Sequence, residues 1–296
     1  MAPQLAWIGL GNMGRGMCKN LVEKGNLSQP LLIYNRTTKR AEDLSAKLLE
    51  GKSKVANTIA EAVKPSDIIF SCVGRDADIT ETLDACLAAG DVTGKLFVDC
   101  STIHPDTSNE LSKKMIAAGA YFVASPVFGA PAMADAGQLI FVMAGPTEQI
   151  ERVKPFTKGV MGRQDIEFGG QEPGKALLLK VIGNTFVLNM VEMLSEGHVI
   201  AEKTGLGSDN LHKFIEALFP GPYTAYSNRM MSGDYHKREE DAGHALNLAE
   251  SSGAKMPAVE VAQKHLQDVK DHSKEKGDIA GIYGAVRQDG GLKFEN

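Results

Sequence analysis

Cysteine, basic surplus and unbroken apolar stretches are all in short supply in this 296-residue chain, and each shortage removes a class of protein from consideration. The four cysteines, Cys18, Cys72, Cys86 and Cys100, show neither paired metal-ligand spacing nor the density of a disulfide scaffold. They are expected to be reduced, buried thiols. Metal-ligand spacing is also missing around His104, His198 and His244, so no metal is expected. A net charge of -5 with no block of basic residues argues against nucleic acid or an anionic membrane as a partner. No signal-peptide pattern precedes Leu5, and no uninterrupted apolar segment is long enough to span a bilayer, which makes the cytoplasm the expected location. Internal repeats and low-complexity tracts are absent as well, and the length favours two domains over one.

What is present begins almost at the first residue. Leu5-Ala6-Trp7-Ile8 has the character of a short buried strand, and Gly9-Leu10-Gly11-Asn12-Met13-Gly14 follows it as a glycine-rich turn opening a helix. That sequence of elements grips a dinucleotide pyrophosphate. Gly9 permits the tight turn, Gly11 lets the backbone approach the phosphates, and Gly14 allows close helix packing, while N–H groups at the helix start near Met13 face the negative charge. Residues 9–14 are therefore candidate cofactor ligands.

Further apolar runs, Leu31 to Tyr34, Ile68 to Val73 and Leu96 to Cys100, are separated by helical stretches and suit strands buried on both faces. Tyr121 to Ala124 and Leu139 to Ala144 continue the series. The alternation predicts an α/β fold, an N-terminal Rossmann domain over residues 1–170 with a doubly wound, mainly parallel sheet. A long, proline-free helix is expected from Lys175 to Thr204, closed by Gly205 and Gly207, leading into an all-α C-terminal domain over residues 171–296. Helices are expected there at Asp209 to Leu218, Ala225 to Met231, Glu239 to Ser251, Ala258 to His272 and Ile279 to Arg287, punctuated by glycine and proline. This helical half has a thin core by itself, so a homodimer through it is expected.

The second strand should end beside the adenosine ribose, where NAD-selective proteins place a carboxylate about 20 residues beyond the glycines. This chain has Asn35-Arg36-Thr37 instead, with Lys39 and Arg40 following. Arg36 can contact a 2′-phosphate bidentately, and Asn35 and Thr37 can donate hydrogen bonds, which predicts NADPH. Three other segments should meet at the strands' carboxyl ends. They are Cys72 to Asp76; Asp99 to Pro105, with the hydroxyls of Ser101 and Thr102; and Ser125 to Ala130, a loop whose N–H groups suit a carboxylate.

Taken in order, Gly-Leu-Gly-Asn-Met-Gly, Asn-Arg-Thr, Asp-Cys-Ser-Thr-Ile-His-Pro, Ser-Pro-Val-Phe-Gly, and Gly174 followed by Lys180 and Asn184 resemble the β-hydroxyacid dehydrogenase family over nearly the whole chain. That family includes 3-hydroxyisobutyrate dehydrogenases and tartronate, glyoxylate and succinic semialdehyde reductases, with 6-phosphogluconate dehydrogenase and the imine reductases as relatives. The resemblance implies that Lys180 is the general acid/base and that Asn184, one helical turn on, hydrogen-bonds substrate or lysine. It also implies that Ser101 and Thr102 lie near nicotinamide and substrate, that Val73 touches the cofactor, and that Ser125, Phe128, Gly129 and Ala130 line the substrate. From the residues alone, Lys180 in the apolar stretch Ala176 to Ile182 is either a snorkelling surface lysine or one desolvated in a cleft, where its pKa falls toward neutrality.

Two departures bear on substrate. Phe128 and Ala130 replace a serine and a glycine of the carboxylate-reducing members, and Glu240 stands where a lysine precedes Asp241. The altered loop leaves room for a bulkier or less polar aldehyde, ketone or imine beside the first-choice acid semialdehyde or hydroxyacid, and a carboxylate at Glu240 disfavours an anionic group nearby. Tyr223 and Tyr226 are candidates either for lining the pocket or for packing. A non-catalytic cofactor-binding scaffold is a third reading, which retention of Lys180 and Asn184 disfavours.

Overall fold

The structure is a computed structural model that describes residues 2–234, 255–274 and 277–296. Its first compact unit, Met1–Lys180, is built on one nine-stranded sheet. The strands are β1 (Leu5–Ile8), β2 (Leu31–Tyr34), β3 (Ser53–Val55), β4 (Ile68–Ser71), β5 (Leu96–Asp99), β6 (Tyr121–Ala124), β7 (Val127–Phe128), β8 (Leu139–Gly145) and β9 (Gly162–Gly169). Their order is β3-β2-β1-β4-β5-β6-β8-β7, with β9 paired to β8. From β3 through β6 every pairing is parallel; β8 runs antiparallel to β6 and β7, so the sheet is mainly parallel. Reversal of strand order between β2-β1 and β4-β5 creates a switch point at the carboxyl end of β1.

The near-continuous apolar strands follow from burial on both faces. Leu5 and Trp7 of β1, Ile68 and Phe70 of β4, and Leu96 and Val98 of β5 enter one helical layer's core. Their neighbours Ala6 and Ile8, Ile69, and Phe97 enter the opposite core. A period of two thus feeds two cores at once and leaves no polar face to alternate with.

Crossovers in this unit are α1 (Gly14–Lys24), α2 (Thr38–Ser45), α3 (Ile59–Val63), α4 (Asp76–Ala88) and α5 (Pro105–Ala117), followed by the short α6 (Pro131–Ala136) and α7 (Thr147–Val153). Three strands went unread in the sequence. β3 and β7 are too short for a period, and β9, Gly-Arg-Gln-Asp-Ile-Glu-Phe-Gly, is an edge strand whose only hydrophobic side chains, Ile166 and Phe168, pack inward.

A single helix, α8 (Gly174–Lys203), leaves the sheet unit and enters the second compact unit, Val181–Asn296. The division falls within this helix, because Ala176 and Leu177 of its first turns belong to a sheet-side core. By length and composition α8 is apolar enough to cross a membrane, although Lys180, Asn184, Asn189 and Glu192 interrupt its apolar run. Core packing explains its apolarity: Leu188, Val191, Leu194 and Val199 join the second unit's core.

That unit continues with α9 (Ser208–Leu218), α10 (Pro222–Met231), α11 (Pro257–Ser273) and α12 (Ile282–Asp289). Pro222 and Pro257 start helices rather than merely separate them, since their fixed φ and missing N–H suit the first turn. The expected Ile279 to Arg287 helix is split, with a 3-10 turn at Ile279–Gly281 capped by Asp278, whose carboxylate accepts from the Ala280 N–H at 3.0 Å. The helix expected at Glu239 to Ser251, and with it Glu240, Asp241 and His244, lies outside the described residues.

Candidate active site

The glycine turn is shaped by three different demands. Gly9 has φ of +97°, and a Cβ there would stand 2.2 Å from the Cys72 carbonyl oxygen; one at Gly14 would stand 2.3 Å from the Gly9 carbonyl oxygen. Backbone packs against both. Gly11 is the opposite case, because a Cβ added to it meets nothing within 4 Å. Its openness is the space a pyrophosphate would fill, above the start of α1, which no side chain caps and whose first turn holds no acid. The residues present therefore fit a dinucleotide. Asn35 ties the turn to β2, its Oδ1 accepting from the Leu10 N–H at 2.8 Å and its Nδ2 donating to the Thr37 carbonyl at 3.0 Å. Asn12 and Met13 are half-buried at the turn, and Thr37 sits at the N-terminus of α2 without capping it. The Arg36 side chain is 79% exposed, with Nη1 3.6 Å from Asp78 Oδ1.

At the ends of β4 and β5 lies a buried polar chain. The Val73 N–H donates to Ser101 Oγ at 3.0 Å, and the Ser101 hydroxyl donates to Asp99 Oδ1 at 2.7 Å. Ser71 donates to the same oxygen at 2.8 Å. Burial pushes the Asp99 carboxyl up to about 6, and the hydrogen bonds from Ser101 and Ser71 hold it back from rising further. Ser101 is thus engaged as donor to Asp99 and acceptor from Val73, and it braces the loop that carries Val73. Sequence reasoning assigned no role to Asp99; a carboxylate closing an apolar strand was the signal for it. Thr102 is half-buried beside this chain. Burial pushes Cys72 up to about 12 and Cys100 well above its ordinary value, which leaves both as inert thiols.

Ser125 is fully buried, with its hydroxyl beside the Cys100 thiol. Gly129 at φ of +137° and Ala130 are exposed, and a Cβ on Gly129 would meet Leu139 at 2.7 Å. Half-buried Phe128 faces Lys180, whose Nζ lies 4.7 Å from the centre of the ring. An aromatic face attracts an ammonium group at this distance. The start of α8 is what places the lysine. Gly174 donates its N–H to Asn109 Oδ1 at 2.8 Å, and a Cβ on it would clash with Asn109 and with the Pro105 carbonyl, so the helix is seated directly on the start of α5. Asn184 follows one turn later on α8. Tyr223 stacks on Phe219 at 5.2 Å and Tyr226 faces the Arg229 guanidinium at 5.3 Å, both against the helical core. Among the described residues no group of three or more His, Cys, Asp or Glu is arranged to hold a metal.

Residues 4–166 match the family described as the NAD binding domain of 6-phosphogluconate dehydrogenase. The chain is 36% identical over 292 residues to the NADH-dependent oxidoreductase ucdB of Aspergillus ustus, covering 95% of this chain and 98% of that one. It belongs to the β-hydroxyacid dehydrogenase family. Its fold is that of the Mycobacterium tuberculosis 3-hydroxyisobutyrate dehydrogenase solved with L-serine, with a TM-score of 0.82, 22% identity and coverage of 97% of this chain and 100% of that one. A reductive aminase from Aspergillus terreus, solved with NADPH and ethyl-5-oxohexanoate, is a more distant likeness, with a TM-score of 0.60, 18% identity and coverage of 95% and 98%. This dehydrogenase is an oxidoreductase that uses a nicotinamide cofactor. The glycine turn and the open space at Gly11 fit such a cofactor.

Proposed function

We propose that this protein is an NADPH-dependent reductase of a small carbonyl compound, with a β-hydroxyacid or acid semialdehyde as its substrate class and Lys180 as the proton donor. When bound, the nicotinamide supplies or accepts hydride at the substrate carbon. Lys180 delivers a proton to the carbonyl oxygen as the C=O becomes C–OH, and in the reverse direction the neutral amine removes it. Asn184 orients the lysine or the substrate oxygen, and the Val73 loop, braced through Ser101 on Asp99, supports the ring. Arg36 with Asn35 and Thr37 receives the adenosine 2′-phosphate. The observation that carries this reading is Lys180 held above Phe128 of β7.

That same contact favours a second reading. The ring opposite the proton donor is apolar where a serine would bind a carboxylate, so neutral ketones or imines are the alternative substrates. NADPH oxidation against glyoxylate, succinic semialdehyde, uncharged ketones and cyclic imines separates the two. Selective turnover of the acid aldehydes supports the first; turnover of only the uncharged compounds replaces it with the second. A protein that binds NADPH and turns over none of them is a scaffold.

The helical unit supports a homodimer. Phe186, Met193 and Ile200 recur every seven residues along α8 at 74%, 52% and 62% exposure, with Ile182 extending the stripe. Phe186→Glu is expected to shift the mass in light scattering from dimer to monomer. A wild-type monomer at micromolar concentration overturns the assignment.

A further inference from the structure

Asp78 stands between two arginines, Arg75 at the start of α4 and Arg36 just beyond β2. Its carboxylate accepts from Arg75 Nε at 2.9 Å and Nη2 at 3.1 Å, and its Oδ1 is 3.6 Å from Arg36 Nη1. Arg36 follows β2 and Asp78 lies in the first turn of α4, which follows β4, while β1 with its glycine turn runs between β2 and β4. The Arg36–Asp78 pair therefore reaches across the strand that carries the phosphate cradle. Both arginines are largely exposed, at 79% and 76%, whereas Asp78 is only 19% exposed and is the fixed member.

We propose that Asp78 is a determinant of dinucleotide choice, its carboxylate competing with the adenosine 2′-phosphate for Arg36, and that Arg75 sets the strength of the competition. The inference rests on the reading that Arg36 serves the 2′-phosphate. One guanidinium fork serves one bidentate anion well, so phosphate and carboxylate oppose each other there. A cofactor with a free 2′-hydroxyl brings no second anion and escapes the penalty. Arg75 takes two of the carboxylate's hydrogen bonds and so holds Asp78 off Arg36. Those bonds, foremost among the causes, keep the Asp78 carboxyl below its ordinary range, so the competitor stays ionised at working pH.

The two neighbours thus act with opposite signs, which a purely structural role in α4 does not predict. Dissociation constants for NADPH and NADH, read by fluorescence titration without any substrate, test this at low and high salt in the wild type, Asp78→Asn, Arg75→Ala and Arg36→Ala. Asp78→Asn should raise the preference for NADPH over NADH about threefold to tenfold, and Arg75→Ala should lower it about twofold to fivefold. Both shifts should shrink at high salt, since both guanidinium groups are largely exposed. Ratios that stay put, or that move the same way in both variants, overturn the proposal while leaving the role of Arg36 intact. An unchanged ratio in Arg36→Ala overturns the phosphate reading itself, and the competition with it. Arg75→Ala leaves Asp78 in place, so it carries the test even if Asp78→Asn fails to fold.

Discussion

The two units bury charge in different ways. Among the described residues, the sheet unit buries one charged side chain, Asp99, at the end of β5, where it holds Ser101 and Ser71. The helical unit buries the charged side chains of Glu192, Asp278 and Arg287 together with the imidazole rings of His198 and His265. Those groups bridge helices: His265 of α11 lies between Glu192 of α8 at 2.7 Å and Asp289 of α12 at 3.2 Å. Arg229 of α10 donates to Asp278 at 2.6 Å, and Ser227 sits 2.8 Å from both His198 and His212. A parallel sheet satisfies its own backbone and takes its cohesion from two apolar cores, so a buried carboxylate in it stands alone. Short helices joined by loops have fewer apolar layers to share, and buried polar pairs hold their register. Buried charge is therefore an isolated event at a strand end in one half of this chain and a recurrent link between helices in the other.

The largest expected effect tests the sheet side. Lys180→Met should lower kcat/KM by about 10²–10⁴, while the NADPH dissociation constant stays within about twofold. Undiminished turnover would break the assignment of the proton donor. On the helical side, His265→Ala should cost about 3 kcal/mol in chemical denaturation, because Glu192 is left buried without its partner. A loss below about 1 kcal/mol would show that this charge is not holding the helices.

Acid should sharpen the contrast. Burial, helped by nearby His212, pushes His198 down to about 4 from 6.5, so the folded protein keeps it neutral while the unfolded chain takes a proton. Its contribution is complete above pH 6.5 and is lost as pH falls toward 4. Asp99, pushed up to about 6 from 3.8, has the opposite sign: its contribution is complete below pH 3.8 and is lost as pH rises through 6. Melting temperatures from pH 4 to 6.5 should therefore show the wild type losing stability relative to His198→Gln and gaining it relative to Asp99→Asn as acid is added. The same sign for both variants would dissolve the distinction. The smallest effect is Asn35→Ala, which removes the acceptor of the Leu10 N–H and should weaken cofactor binding by about 1 kcal/mol in a titration.

Much of the sheet unit was legible because its constraints are local. β2 and β6 run over the residues their apolar runs predicted, and β4, β5 and β8 depart only at their last residues, where Ser71, Asp99 and Gly145 end the ladder. The glycine roles at residues 9 and 14 followed from a turn whose backbone contacts are dictated within a few residues. β9 escaped because an edge strand buries only one side, and the split before α12 escaped because Asp278 capping Ala280 leaves no period to detect. At the site, the sequence named Lys180, Ser101 and Phe128, but it did not foresee that Ser101 is committed to Asp99 or that Lys180 lies over Phe128.

The sequence by itself determined the glycine turn, the mainly parallel character of the sheet and the presence of a long helix, since strand burial, glycine turns and helix periodicity are written in residues that are neighbours along the chain. Only the tertiary structure decided what stands opposite what. Phe128 meets Lys180, Arg36 meets Asp78 and Asp99 meets Ser71 across separations of tens of residues. Those pairings depend on sheet register and on Gly174 seating α8 against α5, quantities that no local pattern of side chains encodes.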